Sequence, residues 1–288
     1  MKKIGVLGAG TMGAGIAQVL LQGGYEVAMR ARRESSIESG KAKIEKNFSK
    51  MVAKEKISEA DKTEFLSKLQ ISTELDIFKD SDIIIEATTE NMEAKKELAK
   101  QIDEICKEDA IFATNTSSLS ITEIAACMKH PEKVIGMHFF NPVPAMKLVE
   151  VIKGFATDEA VNKEIIEMTE KIGKTPVQVE EGPGFVVNRI LLPMINEGIG
   201  ILADGLASAE DIDKAMKLGA GHPMGPLALA DLIGLDVCLA IMETLYSEFG
   251  DSKYRPHPLL RKMVRSNNFL PLFCGSFIVL AARIGLLG

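Results

Sequence analysis

Over roughly the first 180 positions, short apolar runs alternate with longer stretches patterned for helices. Lys3–Leu7, Tyr25–Met29, Asp82–Glu86, Ala110–Thr114, Val134–His138, Leu148–Ile152 and Pro176–Val179 have the length and β-branched content of buried strands. Helices are predicted between them over Met12–Gln22, Glu93–Cys106 and Asp158–Lys171. The stretch from Glu34 to Leu69 is charged but carries one apolar stripe, Ile44, Phe48, Met51 and Val52. Within it, Ser58-Glu-Ala-Asp61 reads as a capping box that opens a second helix, so a helical hairpin is inserted over about 34–69. Glu180-Glu-Gly-Pro-Gly184 breaks helix and strand alike and marks a junction. Past it, Phe185–Ala203 is helical and apolar on every side, Ser208 caps a further helix, and Pro226 lies near the start of another over Leu227–Glu248. The pattern predicts an α/β domain over 1–183, a doubly wound and mostly parallel sheet, followed by an all-α domain over 184–288. The second domain is expected to close over a substrate, and its apolar surplus predicts a homodimer or higher homo-oligomer.

The first turn carries chemistry. Gly8-Ala-Gly10-Thr11-Met12-Gly13 sits directly between a strand and a helix, with the next strand some 30 residues from the start. In that context GxGxxG marks a Rossmann-type dinucleotide site. Gly8 allows the turn, Gly10 lets a pyrophosphate approach the backbone, Gly13 lets helix pack on strand, and the helix N-terminus faces the phosphates. About 20 residues on, such a fold usually offers an acid to a ribose 2′-hydroxyl or an arginine to a 2′-phosphate. This chain reads Met29-Arg30-Ala31-Arg32-Arg33-Glu34, with no acid at the strand end. A guanidinium cluster suits a phosphate, which favours NADP over NAD; a solvated basic turn with Glu34 serving the ribose is the competing reading.

A second centre lies in Val134-Ile-Gly-Met-His-Phe-Phe-Asn-Pro-Val-Pro-Ala-Met-Lys-Leu-Val-Glu-Val-Ile152. Two apolar runs flank a proline-bracketed loop, so adjacent strands bring His138 and Glu150 together. A carboxylate on Nδ1 fixes the tautomer and leaves Nε2 to take or give a proton. A buried structural pair is the alternative, and two residues alone do not separate them. Glu90, Asn115, Ser117 and His138 all fall at carboxyl ends of strands, the edge at which open α/β sheets bind ligands.

Composition narrows the partners. At 288 residues, 46% hydrophobic, 26% charged and net charge −6, the chain has a sizeable core and no basic stripe for nucleic acid. Its start is no signal peptide, and the four scattered cysteines read as reduced core residues of a cytoplasmic protein with no metal site. A membrane span over the apolar end, 268–288, is disfavoured by Pro271 and Arg283.

Five segments together resemble the 3-hydroxyacyl-CoA dehydrogenase family, and within it the bacterial 3-hydroxybutyryl-CoA dehydrogenases of butyrate-forming pathways. They are GAGTMGAGIAQ, NTSSLSITEIA from Asn115, VIGMHFFNPVPAMKLVEV from Val134, EGPGFVVNRILLPMINEG from Glu181, and DKAMKLGAGHPMGPLALADLIGLD from Asp213. The resemblance implies reversible reduction of acetoacetyl-CoA to (S)-3-hydroxybutyryl-CoA. His138 would be the acid/base, Glu150 its holder, and Ser117 and Asn188 the groups on the substrate. Thr11, Met12, Glu90, Lys95, Asn115 and Asn141 would join the glycines around the cofactor, with Arg30 and Arg32 at its ribose. Lys50 and Lys54 would meet the CoA phosphates, although abundant exposed lysines are also only a wet face. Two features depart from the family. Ala31 stands where an acid is usual, and the end from Asn268 lacks the usual basic segment closing on an aromatic pair. A β-hydroxyacid dehydrogenase, which uses a lysine, and a dinucleotide-binding regulator without turnover are the competing functions.

Overall fold

A computed structural model describes residues 2–267. The chain divides into two compact units between Gly182 and Pro183. The first begins with β1 (Lys3–Leu7), α1 (Thr11–Gln22), β2 (Glu26–Arg30), the hairpin α2 (Glu34–Ala53) and α3 (Glu59–Ser67), and β3 (Leu69–Ser72). It continues through β4 (Ile83–Glu86), α4 (Met92–Ile105), β5 (Ile111–Thr114), α5 (Ile121–Ala125), β6 (Val134–Phe139), β7 (Leu148–Lys153), α6 (Glu159–Lys171) and β8 (Thr175–Glu180). The strands form one sheet in the order β3-β2-β1-β4-β5-β6-β7-β8. Every neighbouring pair is parallel except β6 and β7. The order reverses between β1 and β4, the switch point at which a crevice opens in such sheets.

The sheet is legible because strands covered on both faces are continuously apolar. Ile4, Val6, Val27, Met29, Ile83, Ile85, Ala113 and Ile135 form one buried cluster with Ile16 and Leu20 of α1, Ile44 and Phe48 of α2, and Ile165 of α6. The capping box at Ser58 is present, with its hydroxyl accepting from the Asp61 amide. β3 departs from expectation: Leu69, predicted to close a helix, begins a parallel edge strand. It is short and only half buried, so it lacks the apolar run that betrays the central strands.

The second unit contains α7 (Val187–Ala203), α8 (Ala209–Gly219), α9 (Pro226–Ile233), α10 (Leu235–Phe249) and α11 (Pro258–Asn267). Its core joins Leu192, Ile195 and Ile199 to Leu227, Met242, Leu245 and Leu260. The single helix expected over Leu227–Glu248 is two, because Gly234 adopts φ 103° and turns the chain between them. Among the described residues no helix is long and apolar enough to cross a membrane. The segment 268–288, including Cys274 and the unusual end, lies outside the described residues.

Candidate active site

The glycine loop is shaped by close approach. Gly8 has φ 121°, and a Cβ there would lie 2.4 Å from the Ala87 carbonyl oxygen; one on Gly13 would lie 2.0 Å from the Gly8 oxygen. Neither position admits a side chain. Gly10 differs, since nothing lies within 4 Å of where its Cβ would be, and it is the N-cap of α1 with no side chain on the helix amides. Open space beside bare amides at a helix N-terminus fits a dinucleotide pyrophosphate. Gly15, one turn further, would carry a Cβ 2.8 Å from Val143, so α1 packs directly under the β6–β7 loop. We expect Gly13→Ala to abolish dinucleotide binding, which a fluorescence titration would show as no saturable signal.

His138 and Glu150 are paired residues of the antiparallel β6–β7 ladder. His138 Nδ1 lies 2.7 Å from Glu150 Oε2; the imidazole is 6% exposed and the carboxylate wholly buried. The Phe140 ring supports the imidazole at 4.4 Å between centroids. Next door, Asn115 accepts a hydrogen bond from the Phe139 amide at 2.8 Å through Oδ1, and its own amide donates to the Glu86 carbonyl at 2.7 Å. Asn115 thus ties the end of β5 to the strand that carries His138.

Two strands away, at the end of β4, lies a buried network of charges. Glu86, at the end of β4 and wholly buried, accepts from Lys95 Nζ at 2.9 and 2.8 Å, Thr114 Oγ1 at 2.7 Å, the Thr88 amide at 2.6 Å and the Thr88 hydroxyl. Lys95, 1% exposed, also lies 3.5 Å from Glu90 Oε2. Glu90 Oε1 in turn accepts from Thr116 Oγ1 at 2.7 Å, the Ser117 amide at 2.8 Å and Ser117 Oγ at 3.0 Å. Burial pushes the Glu90 carboxyl up, but Lys95 and these hydrogen bonds outweigh it and hold the group below its ordinary range. Glu86, read from sequence only as the end of a strand, could have been found as the one acid closing a run of isoleucines.

A cleft on the other side of the loop is lined by Thr11, Lys43, Lys46, Asn47, Lys50, Asn141 and Pro142–Pro144. Its lining includes three lysines and no acid. They recur at three- and four-residue spacing, which puts them on one face of α2. Of the two lysines proposed from the resemblance, Lys50 lines this cleft and Lys54, the exposed C-cap of α2, is not part of the lining. Lys43 and Lys46 line it as well. The loop itself is pinned from behind by Lys174, which donates to the carbonyls of Val143 at 2.5 Å and Met146 at 2.7 Å, burial lowering its pKa.

Of the arginines after β2, Arg30 is half-buried and its Nε donates to the Thr73 carbonyl at 2.8 Å. Arg32 and Arg33 are exposed, and Arg33 is the N-cap of α2. Ala31, 8% exposed, supplies no acceptor at the strand end. Asn188 lies in the first turn of α7 in the second unit and is buried there. No cluster of three or more metal-ligating side chains occurs among the described residues. Cys106 is half-buried and Cys238 buried, and burial pushes each thiol up to about 12, so neither is a nucleophile.

A parallel sheet that reverses its strand order beside a bare-amide glycine loop is built to hold a dinucleotide. The buried His138–Glu150 pair lies at the same end of the strands, and a fold of this kind defines the class of the dinucleotide-dependent oxidoreductases. Comparison with known proteins gives the family. Residues 3–182 match the 3-hydroxyacyl-CoA dehydrogenase NAD binding domain and residues 184–270 its C-terminal domain. The chain is 58% identical to the 3-hydroxybutyryl-CoA dehydrogenase of Clostridioides difficile over 92% of its length and 94% of that protein's. It is 52% identical to the probable 3-hydroxybutyryl-CoA dehydrogenase of Bacillus subtilis, over 92% and 93%. The crystal structure of (S)-3-hydroxybutyryl-CoA dehydrogenase from Ralstonia eutropha superposes with TM-score 0.90 at 49% identity, covering 93% of this chain and 94% of that one. The chain belongs to the 3-hydroxyacyl-CoA dehydrogenase family and is an oxidoreductase that uses NAD(P).

Proposed function

We propose that this protein reversibly reduces acetoacetyl-CoA to (S)-3-hydroxybutyryl-CoA, a step of butyrate formation or short-chain acyl-CoA metabolism, and that NADPH is its preferred reductant. The observation that carries the reaction is the buried His138–Glu150 pair, 2.7 Å apart at the edge of the sheet that holds the glycine loop. A reduced nicotinamide dinucleotide held at the Gly8–Gly13 loop would supply the hydride. His138 gives the proton that the 3-oxygen needs, and in the reverse direction takes it from the 3-hydroxyl. Glu150 orients the ring through Nδ1 and balances the imidazolium charge. Ser117, held on its loop by Glu90, hydrogen-bonds the substrate oxygen.

The handle of the substrate is read from the cleft. Three ammonium groups without an acid attract the phosphates of CoA, and the cleft borders the loop that follows His138. Charge reversal by Lys46→Glu is expected to raise KM for acetoacetyl-CoA about tenfold, while a pantetheine thioester lacking those phosphates reacts unchanged. Equal effects on both substrates would remove the cleft from CoA binding.

The NADPH preference rests on the turn after β2. Ala31 offers nothing to a 2′-hydroxyl, while Arg32 and Arg33 stand exposed at the N-terminus of α2, where two guanidiniums and the helix dipole favour a phosphate. The reaction is tested by following acetoacetyl-CoA reduction by absorbance with NADPH and NADH side by side. A chain that binds a dinucleotide and reduces nothing would overturn it.

A further inference from the structure

Glu86 is sealed from solvent, yet it sits at the switch point of the sheet. Its register partners are Leu7, which leads into the glycine loop, and Thr114, which leads into the Asn115–Ser118 loop. The oxygen of the next residue, Ala87, is what a Cβ on Gly8 would strike. A carboxylate at this position costs desolvation, and five donor contacts from Lys95, Thr114 and Thr88 offset it. The hydrogen bonds to Thr88 and Thr114 could be made by a neutral side chain. What the carboxylate alone supplies is charge, opposite a lysine that also faces Glu90.

We propose that Glu86 is a positioning residue which sets the charge at the strand ends between the glycine loop after β1 and His138 on β6, the span that a nicotinamide would occupy. Glu86, Lys95 and Glu90 form a fixed group of net charge −1, and that group favours the oxidised, positively charged ring over the reduced, neutral one. The inference rests on the dinucleotide reading above. Glu86 acts from a wholly buried position. It takes up the Lys95 charge, so that the Glu90 carboxylate is not cancelled by it. With Glu86 neutral, Lys95 and Glu90 would sum to zero and the preference for the oxidised form would be lost. A purely structural role would predict something different, because damage to the loop weakens both forms of the cofactor together.

The test is a pair of fluorescence titrations on the full chain, NADPH directly and NADP⁺ by competition, giving the ratio of the oxidised to the reduced Kd. Glu86→Gln keeps the shape and most of the hydrogen bonds while making the group neutral. Its ratio is expected to rise at least about fivefold, the worth of one charge about 4 Å away even at the dielectric of water. Lys95→Met removes the cation: its ratio is expected to fall where Glu86 stays ionised and to hold where burial protonates it, and a rise overturns the proposal should Glu86→Gln not fold. Parallel changes in both Kd values of Glu86→Gln, or an unmoved ratio there, would overturn the proposal. An unmodified chain that binds neither form would instead remove the dinucleotide reading beneath it.

Discussion

Replacing His138 by alanine is expected to lower kcat for acetoacetyl-CoA reduction by about 10²–10⁴-fold, the usual worth of a positioned acid/base. The dinucleotide Kd should stay within about twofold of the unmodified chain, because the loop that would hold the pyrophosphate is shaped by Gly8, Gly13 and Ala87, none of which the substitution changes. Glu150→Gln sharpens the argument. The Glu150 carboxylate accepts from Nδ1; an amide in its place could donate instead, moving the ring proton to Nε2 and leaving no charge to balance an imidazolium. Its kcat should therefore fall nearly as far as that of the histidine variant, with little further loss when both changes are combined, since groups acting as a unit are not additive. Losses that multiply in the double variant would show that the two residues act separately. Turnover that survives His138→Ala would point to a different acid, as in the lysine-dependent alternative.

The parts of this site that the sequence revealed are those where backbone geometry leaves no choice. Gly8 and Gly13 are legible because any side chain would collide with a carbonyl, so the motif is a direct image of the turn. His138 and Glu150 are legible because an antiparallel ladder joined by a short loop sets which residues face each other. The residues that were not legible act through partners on other elements. Lys174 reaches a loop 28 and 31 positions away. Glu86 gains its meaning from Lys95 and Thr114, one on the following helix and one on the neighbouring strand. Periodicity reports which face of an element is buried, but not which polar groups meet where two elements end. The same limit explains β3: an edge strand buries too little apolar surface to write a pattern into four residues.

Introducing an acid at the end of β2 should reverse the cofactor preference. The backbone there is anchored, with the Gly8 amide donating to the Arg30 carbonyl at 2.9 Å, so a side chain at position 31 is presented from a fixed point beside the glycine loop. An aspartate at that point can accept from a ribose 2′-hydroxyl and repels a 2′-phosphate. Like charges about 4 Å apart are worth up to about 4 kcal/mol near a protein surface, less after screening by salt. Ala31→Asp is therefore expected to lower the NADPH/NADH ratio of kcat/KM by on the order of 10²-fold. Arg32→Ala should move it the same way by about tenfold, through loss of one phosphate contact. Arg30 should matter less, because its Nε is already spent on the Thr73 carbonyl. The competing reading makes the opposite forecast: if Glu34 serves the ribose and the arginines only face water, the unmodified chain prefers NADH and Arg32→Ala leaves the ratio where it was. Measuring both variants against both cofactors separates the two, since only a bound 2′-phosphate makes the turn sensitive to the loss of Arg32.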